Sequence, residues 1–163
     1  MASLLVVHHS PTRSTRALLD AVVAGAQDPQ IIGVEVRVVE ALAAGADDVL
    51  AADGYLLGTS VHFGYMSGAL KHFFDSTFVS VGGALDPAGA ASAGTGSTAG
   101  RPFGMWVHGR FDTTGGIRSV TSIVKALGWR RCAPVLDVLG EVDLPAEERA
   151  RELGATVAAN LMA

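Results

Sequence analysis

Cysteine is nearly absent. Cys132 is the only one in 163 residues, so no internal disulfide can form and a zinc site built from cysteines is excluded within one chain. Long apolar runs are missing as well: 49% of the residues are hydrophobic, yet no run approaches the roughly 20 residues of a membrane-spanning helix. The opening run MASLLVVHHS has neither the length nor the basic leader of a signal peptide, so it reads as a strand, and a cytoplasmic location is expected. Positive charge is scarce. The 12 Lys and Arg are outnumbered by 16 Asp and Glu, for a formal net charge of −4. No basic stripe interleaved with aromatics offsets that balance, which argues against nucleic acid as a partner. Glycine is missing from HSPTRST, residues 9–15, and so is a Gly-Lys pair, so this stretch is neither a GxGxxG dinucleotide fingerprint nor a P-loop. Internal repeats are absent.

What is present is alternation. SLLVVH is a short buried strand, and TRALLDAVVAGA repeats apolar residues at helical spacing, with Leu18, Val22 and Ala26 on one face. GVEVRVVEA sets Val34, Val36 and Val38 against Glu35 and Arg37, the pattern of an edge strand with one wetter face. A short helix near DDVLAA leads to a third strand in DGYLLGTS, and MSGALKHFFDSTFV reads as the third helix. RPFGMWVHG is a fourth strand, GIRSVTSIVKALG a fourth helix stopped by Gly128, and CAPVLDVLG a fifth strand. The last helix opens near Pro145 and carries Leu153, Val157 and Leu161 at helical spacing. Trp106 falls inside the fourth strand and is expected in the core. Strict alternation predicts one α/β domain over residues 1–163: a doubly wound, five-stranded parallel sheet with helices on both faces. GGALDPAGAASAGTGSTAG, residues 82–100, has almost nothing to bury and is expected to be a flexible loop within that domain.

Ligands of doubly wound sheets bind beyond the carboxyl ends of the strands, where the strand order reverses. Three unusual turns fall at such ends. The first brings the hydroxyls of Ser10, Thr12, Ser14 and Thr15 to a helix N-terminus, which suits a phosphate; a simple helix cap needs only one of them. In the second, Gly58 and Gly64 permit close backbone approach, while Val61, His62, Phe63 and Tyr65 form a wall for a flat ring. Taken alone, Phe63 and Met66 read as ordinary core. The third turn repeats the theme with Gly109, Arg110, Phe111, Asp112, Gly115 and Gly116. A phosphate cradle beside two glycine-bearing walls describes a site for a mononucleotide with a large planar base.

At these motifs the chain resembles the flavodoxin-like proteins. LLVVHHSPTRSTRALLDAVVAGA is similar to their first strand and phosphate loop, usually S/T-x-T-G-x-T; DGYLLGTSVHFGYMSGALKHFFD to their second loop, commonly GTPxYFGxMSGALKxFLD; and GRPFGMWVHGRFDTTGG to the strand and loop that cover the other side of the ring. The resemblance implies strand order 2-1-3-4-5 and bound FMN. Its phosphate would lie on Ser10, Thr12, Arg13, Ser14 and Thr15, and its ring among Ser60, Val61, His62, Phe63, Gly64, Tyr65 and Met66 on one side and His108, Gly109, Arg110, Asp112 and Gly115 on the other. Arg13 stands where the family usually has Gly, Ser60 replaces the usual Pro, and His62 occupies a position where an aromatic or Arg is common.

The resemblance implies redox chemistry of one of two kinds. An NAD(P)H-dependent quinone or flavin reductase takes hydride from NAD(P)H and passes electrons to a small acceptor, whereas a carrier flavodoxin shuttles single electrons between proteins. The mild acidity and the MSGALKHFFD motif favour the reductase, with His108 bordering the ring as its candidate catalytic residue. The competing reading of His108 is a strand-end histidine bonded to a backbone carbonyl. Homodimers or homotetramers are implied, with residues 82–100 covering a neighbour's flavin and Arg101 or Arg110 contacting an NADPH phosphate or a partner subunit. Two other readings remain open: a binding module that keeps the fold without FMN, and a metal site at His9, His62 and His108 with Asp112 nearby. The expectation adopted is no metal, with His8 packed beside the sheet and His9 nearer the pocket.

Overall fold

A computed structural model describes residues 1–92 and 96–162. β1 (Ala2–His8) ends in five consecutive buried positions. α1 (Arg13–Ala26) buries Leu18, Val22 and Ala26, the face its spacing predicts. β2 (Val34–Glu40) is the expected edge strand, but its alternation breaks at Val38, which is exposed, and Val39 packs on the core instead. Next come α2 (Ala46–Ala51), β3 (Gly54–His62), β4 (Tyr65–Met66), α3 (Gly68–Thr77), β5 (Ala84–Leu85), β6 (Ala91–Ser92), β7 (Pro102–Gly109), α4 (Thr114–Ala126), β8 (Arg130–Arg131), β9 (Leu136–Leu139) and α5 (Leu144–Ala159).

The main sheet runs β2-β1-β3-β7, with β8 and β9 both against β7 and every one of these pairings parallel. This is the flavodoxin-like order 2-1-3-4-5 with its last strand in two pieces. The continuous fifth strand expected over CAPVLDVLG is therefore corrected. Cys132 still donates its amide to Phe103 O at 3.0 Å; Pro134 has no N–H to give, and pairing resumes only where Leu136 meets Trp106.

Each face of the sheet buries its own layer. Leu4, Val6, Leu56 and Trp106 pack against Leu18, Val22, Leu153 and Val157 of α1 and α5. Leu5, Val7, Leu57 and Met105 pack against Leu70, Phe73, Val120 and Val124 of α3 and α4. α1 and α5 touch through glycines: a Cβ on Gly25 would lie 1.9 Å from Arg151 O, and one on Gly154 1.9 Å from Val22 O.

Residues 82–100 hold more than a structureless loop. β5 and β6 pair antiparallel, and Asp86 Oδ1 accepts the amides of Ala88 and Ala90, each at 2.9 Å. Thr98 is fully buried, donates to Val81 O at 2.6 Å and accepts the Trp129 indole N–H at 2.9 Å. That indole stacks on Tyr55 with ring centroids 3.9 Å apart. The small residues here are what allow the base of the segment to close on itself. Ala93, Gly94 and Thr95, part of the expected loop, lie outside the described residues. Among the described residues no helix is long and apolar enough to cross a membrane.

Candidate functional site

The carboxyl ends of β1, β3 and β7 meet at one edge of the sheet. Register sets Ser60 beside His108 and His8 beside Gly58, so the three loops that follow these strands are neighbours. β1 and β3 flank the point where the strand order reverses.

The first loop is ordered by its own hydroxyls. Thr12 caps α1: its Oγ1 accepts the Thr15 amide at 3.2 Å, while Thr15 Oγ1 accepts the Thr12 amide at 3.0 Å. Ser10 is buried against His8, with Nδ1 and Oγ 3.0 Å apart. Three of the four hydroxyls are thus engaged inside the loop. Ser14 Oγ and the backbone amides of Arg13 and Ser14 have no protein partner among the described residues. With no acidic residue in the first turn of α1, the positive end of the helix stands open to an anion. His9 Nδ1 is buried with no hydrogen-bond partner among the described residues, a costly state for a polar atom unless a ligand completes it. Burial, reinforced by the neighbouring His62, holds its pKa below the ordinary histidine value.

The second loop is a hairpin rather than an irregular turn. β3 continues to His62, and β4 pairs back on it, Val61 with Met66 and His62 with Tyr65. The two linking residues, Phe63 at φ 50° and Gly64 at φ 74°, both have positive φ, as a tight two-residue hairpin requires. Glycine adopts this freely and phenylalanine does not. Yet the Phe63 side chain is fully exposed. Alternation across the hairpin decides the rest: Met66 turns into the core and is 2% exposed, and Tyr65 turns out. Met66 is therefore withdrawn from the ring-facing set. Gly58 is reassigned as well, because a Cβ there would lie 1.9 Å from Trp106 Cζ2, so this glycine makes room for the indole and not for a ligand. Ser60 and His62, the two departures from the family's second loop, bond to each other, Oγ to Nε2, at 2.8 Å.

In the third loop, Asp112 Oδ1 accepts the Thr114 amide at 2.9 Å; the Thr114 hydroxyl and amide together hold its carboxyl below the usual range. Thr113 Oγ1 donates to Asp137 at 2.7 Å. His108 Nε2 lies 2.8 Å from Gly140 O. A carbonyl only accepts, so Nε2 carries a proton and is committed, as the competing reading of this histidine anticipates. Gly115 packs under the hairpin tip, where a Cβ would reach 1.9 Å from Gly64 O.

Together the loops line two adjoining clefts. One, of about 330 Å³, is lined by Thr12, Ser14, Thr15, Ser60, Val61, His62, His108, Gly109 and Arg110. The other, of about 440 Å³, shares Val61, His62 and Arg110 and adds Phe63, Gly64, Phe111 and Asp112. Phe111, like Phe63, is largely exposed. Ser10, Arg13, Tyr65, Met66 and Gly115 do not line either cleft. Tyr65 and Gly115 face a third one, between α3 and α4. The three-histidine metal site is not assembled: no group of three or more His, Cys, Asp or Glu among the described residues can hold an ion. Arg101 sits at the opposite end of the sheet, where it donates to the carbonyls of Val49, Leu50 and Ala52 at the end of α2 and to Tyr55 Oη. It is unavailable to a nucleotide in these clefts.

Comparison with known proteins agrees with this fold. The family described as NADPH-dependent FMN reductase matches residues 2–140. A flavodoxin of Aquifex aeolicus (strain VF5) is 33% identical over 86 residues, covering 53% of this chain and 45% of that protein. The chain thus spans less than half the length of that curated relative. Among solved structures, a flavodoxin from the domain Archaea superposes with a TM-score of 0.76 at 16% identity, covering 98% of each chain. A WrbA-like flavodoxin from Agrobacterium tumefaciens gives 0.72 at 19% identity, covering 100% of each. At such identities the structural likeness speaks for the fold.

Proposed function

We propose that this chain, which belongs to the NADPH-dependent FMN reductase family, is an oxidoreductase that spends reduced nicotinamide dinucleotide, through FMN held in the paired clefts, on a small acceptor of the quinone class. The observation that carries the reading is the convergence of the β1, β3 and β7 loops on adjoining clefts where the strand order reverses.

The residues fit the cofactor. The open amide of Ser14 at the start of α1 would hold its phosphate, with the Ser14 hydroxyl beside it. His9 Nδ1, buried and unpartnered, would gain a partner from the bound ligand. Val61 and the exposed rings of Phe63 and Phe111 would give a flat ring an apolar border. FMN, when bound, supplies a ring system that takes up hydride and passes electrons onward. The protein's part is to bind, orient and exclude water. Phe63 and Phe111 would shield the clefts, and their planar faces would orient a flat acceptor. Ser60, itself buried, holds His62 through Nε2, leaving Nδ1 without a partner among the described residues to carry a proton to an acceptor oxygen. His108, committed to Gly140 O, would position the third loop. The proton-handling role first given to His108 therefore passes to His62.

The flavodoxin relatives support a second reading, a one-electron carrier. Visible absorption of the purified protein, titration with FMN, and anaerobic addition of NADPH separate the two. Bound flavin that NADPH bleaches and a quinone restores supports the reductase. Bound flavin that only a chemical reductant bleaches supports the carrier, and failure to bind FMN refutes both.

A further inference from the structure

Beyond the hairpin tip a third cleft, of about 380 Å³, opens between α3 and α4, lined by Tyr65, Lys71, Arg118, Ser119 and Ser122. It adjoins the ring-side cleft through Gly64, which lines both. Its charge runs against that of the chain, where acids outnumber bases 16 to 12. α4 carries Arg118 and Lys125 and no Asp or Glu. Lys71 Nζ donates to both carboxylate oxygens of Asp75, at 2.6 and 2.8 Å. Arg118 is exposed and has no carboxylate within ion-pair distance among the described residues. The hydroxyls of Ser119 and Ser122 donate to Gly116 O and Arg118 O, each at 2.9 Å, which leaves their oxygens as acceptors.

Resting on the reductase reading above, we infer that this cleft takes the adenosine end of the dinucleotide, with Arg118 and Lys71 on the phosphate that distinguishes NADPH from NADH. A guanidinium presents a planar fork of donors that matches phosphate oxygens in pairs, and an ammonium adds a point charge. The serine oxygens accept from ribose hydroxyls. Gly64 joins the subsite to the clefts where the nicotinamide end meets the flavin, so one dinucleotide reaches both.

Calorimetric titration of the full chain with adenosine 2′,5′-bisphosphate and with 5′-AMP tests this without any turnover. The expected result is a preference for the bisphosphate of about tenfold or more, as one well-placed charged contact gives. Arg118→Glu should abolish that preference and Lys71→Ala should weaken it. Both residues lie outside the flavin clefts, so FMN affinity should be unchanged in either variant. Equal binding of the two nucleotides, no binding of either, or a preference that survives Arg118→Glu overturns the inference. A chain that prefers the bisphosphate but binds no FMN refutes the flavin reading alone.

Discussion

Replacing Gly58 by Ala puts a methyl group where the Trp106 ring already is. The added carbon would sit 1.9 Å from Cζ2, 2.2 Å from Cε2 and 2.5 Å from Cη2. Trp106 is 2% exposed and enclosed by Leu136, Val138, Leu153 and Val157 on its side of the sheet, so the indole has nowhere to retreat. Overpacking of this kind costs about 1–3 kcal/mol and sometimes more, and three ring atoms inside contact distance place Gly58→Ala at the top of that range, about 3 kcal/mol. A domain of this size loses about 2–4 °C of Tm per kcal/mol, so the melting point should fall by about 6–12 °C. Gly68→Ala is the matched control: nothing lies within 4 Å of a Cβ there, and it should stabilise by about 0.4–1 kcal/mol. Urea unfolding followed by tryptophan fluorescence reads both. A Gly58→Ala protein within about 0.5 kcal/mol of the parent would refute the packing role. If Gly58 instead served ligand approach, FMN affinity would vanish while stability held.

Three other outcomes follow from buried or directed polar groups. Thr98→Val leaves Trp129 Nε1 and Val81 O without their shared partner and should lower the unfolding free energy by at least about 2 kcal/mol, read as a lower urea midpoint at unchanged slope. Burial is the main cause holding His8 and His9 below the ordinary histidine value of 6.5, so the unfolded chain binds more protons as pH falls below 6.5. Stability should be level above that pH, decline below it, and flatten again past the depressed folded values. Thermal melts between pH 7 and 5 check this, with His8→Gln giving a shallower decline. His62→Gln should lower quinone turnover about a hundredfold with FMN affinity kept. His108→Gln, measured alongside, should spare turnover, and the opposite ranking would return proton handling to His108.

Much of this architecture is legible in the residues because its signals are local. Helical spacing brings out Leu18, Val22 and Ala26, alternation of strands with helices yields the parallel sheet and the edge where three loops meet, and the strand order comes from the family resemblance. What escapes is whatever depends on partners distant in sequence. Nothing near Gly58 tells that Trp106 fills its space. Nothing near His108 announces Gly140 O, which only the register of β9 brings close. Arg101 reads as a free cation until α2 ends beside it. The hairpin was hidden for another reason: Phe63 is a poor residue for positive φ, so the turn lacks its usual signature, and without β4 the opposite fates of Tyr65 and Met66 have no basis. The Ser60–His62 pair is visible as two departures from a family pattern, but the bond between them is not.

The central claim is that a phosphate-bearing flavin binds with its phosphate at the start of α1. The most direct measurement is a pair of fluorescence titrations of the flavin-free protein, one with FMN and one with riboflavin, which lacks the phosphate. Two charge-assisted bonds, from the Ser14 amide and hydroxyl, should make FMN bind at least about a hundredfold more tightly. Equal affinity for the two flavins, or affinity for neither, would contradict the account.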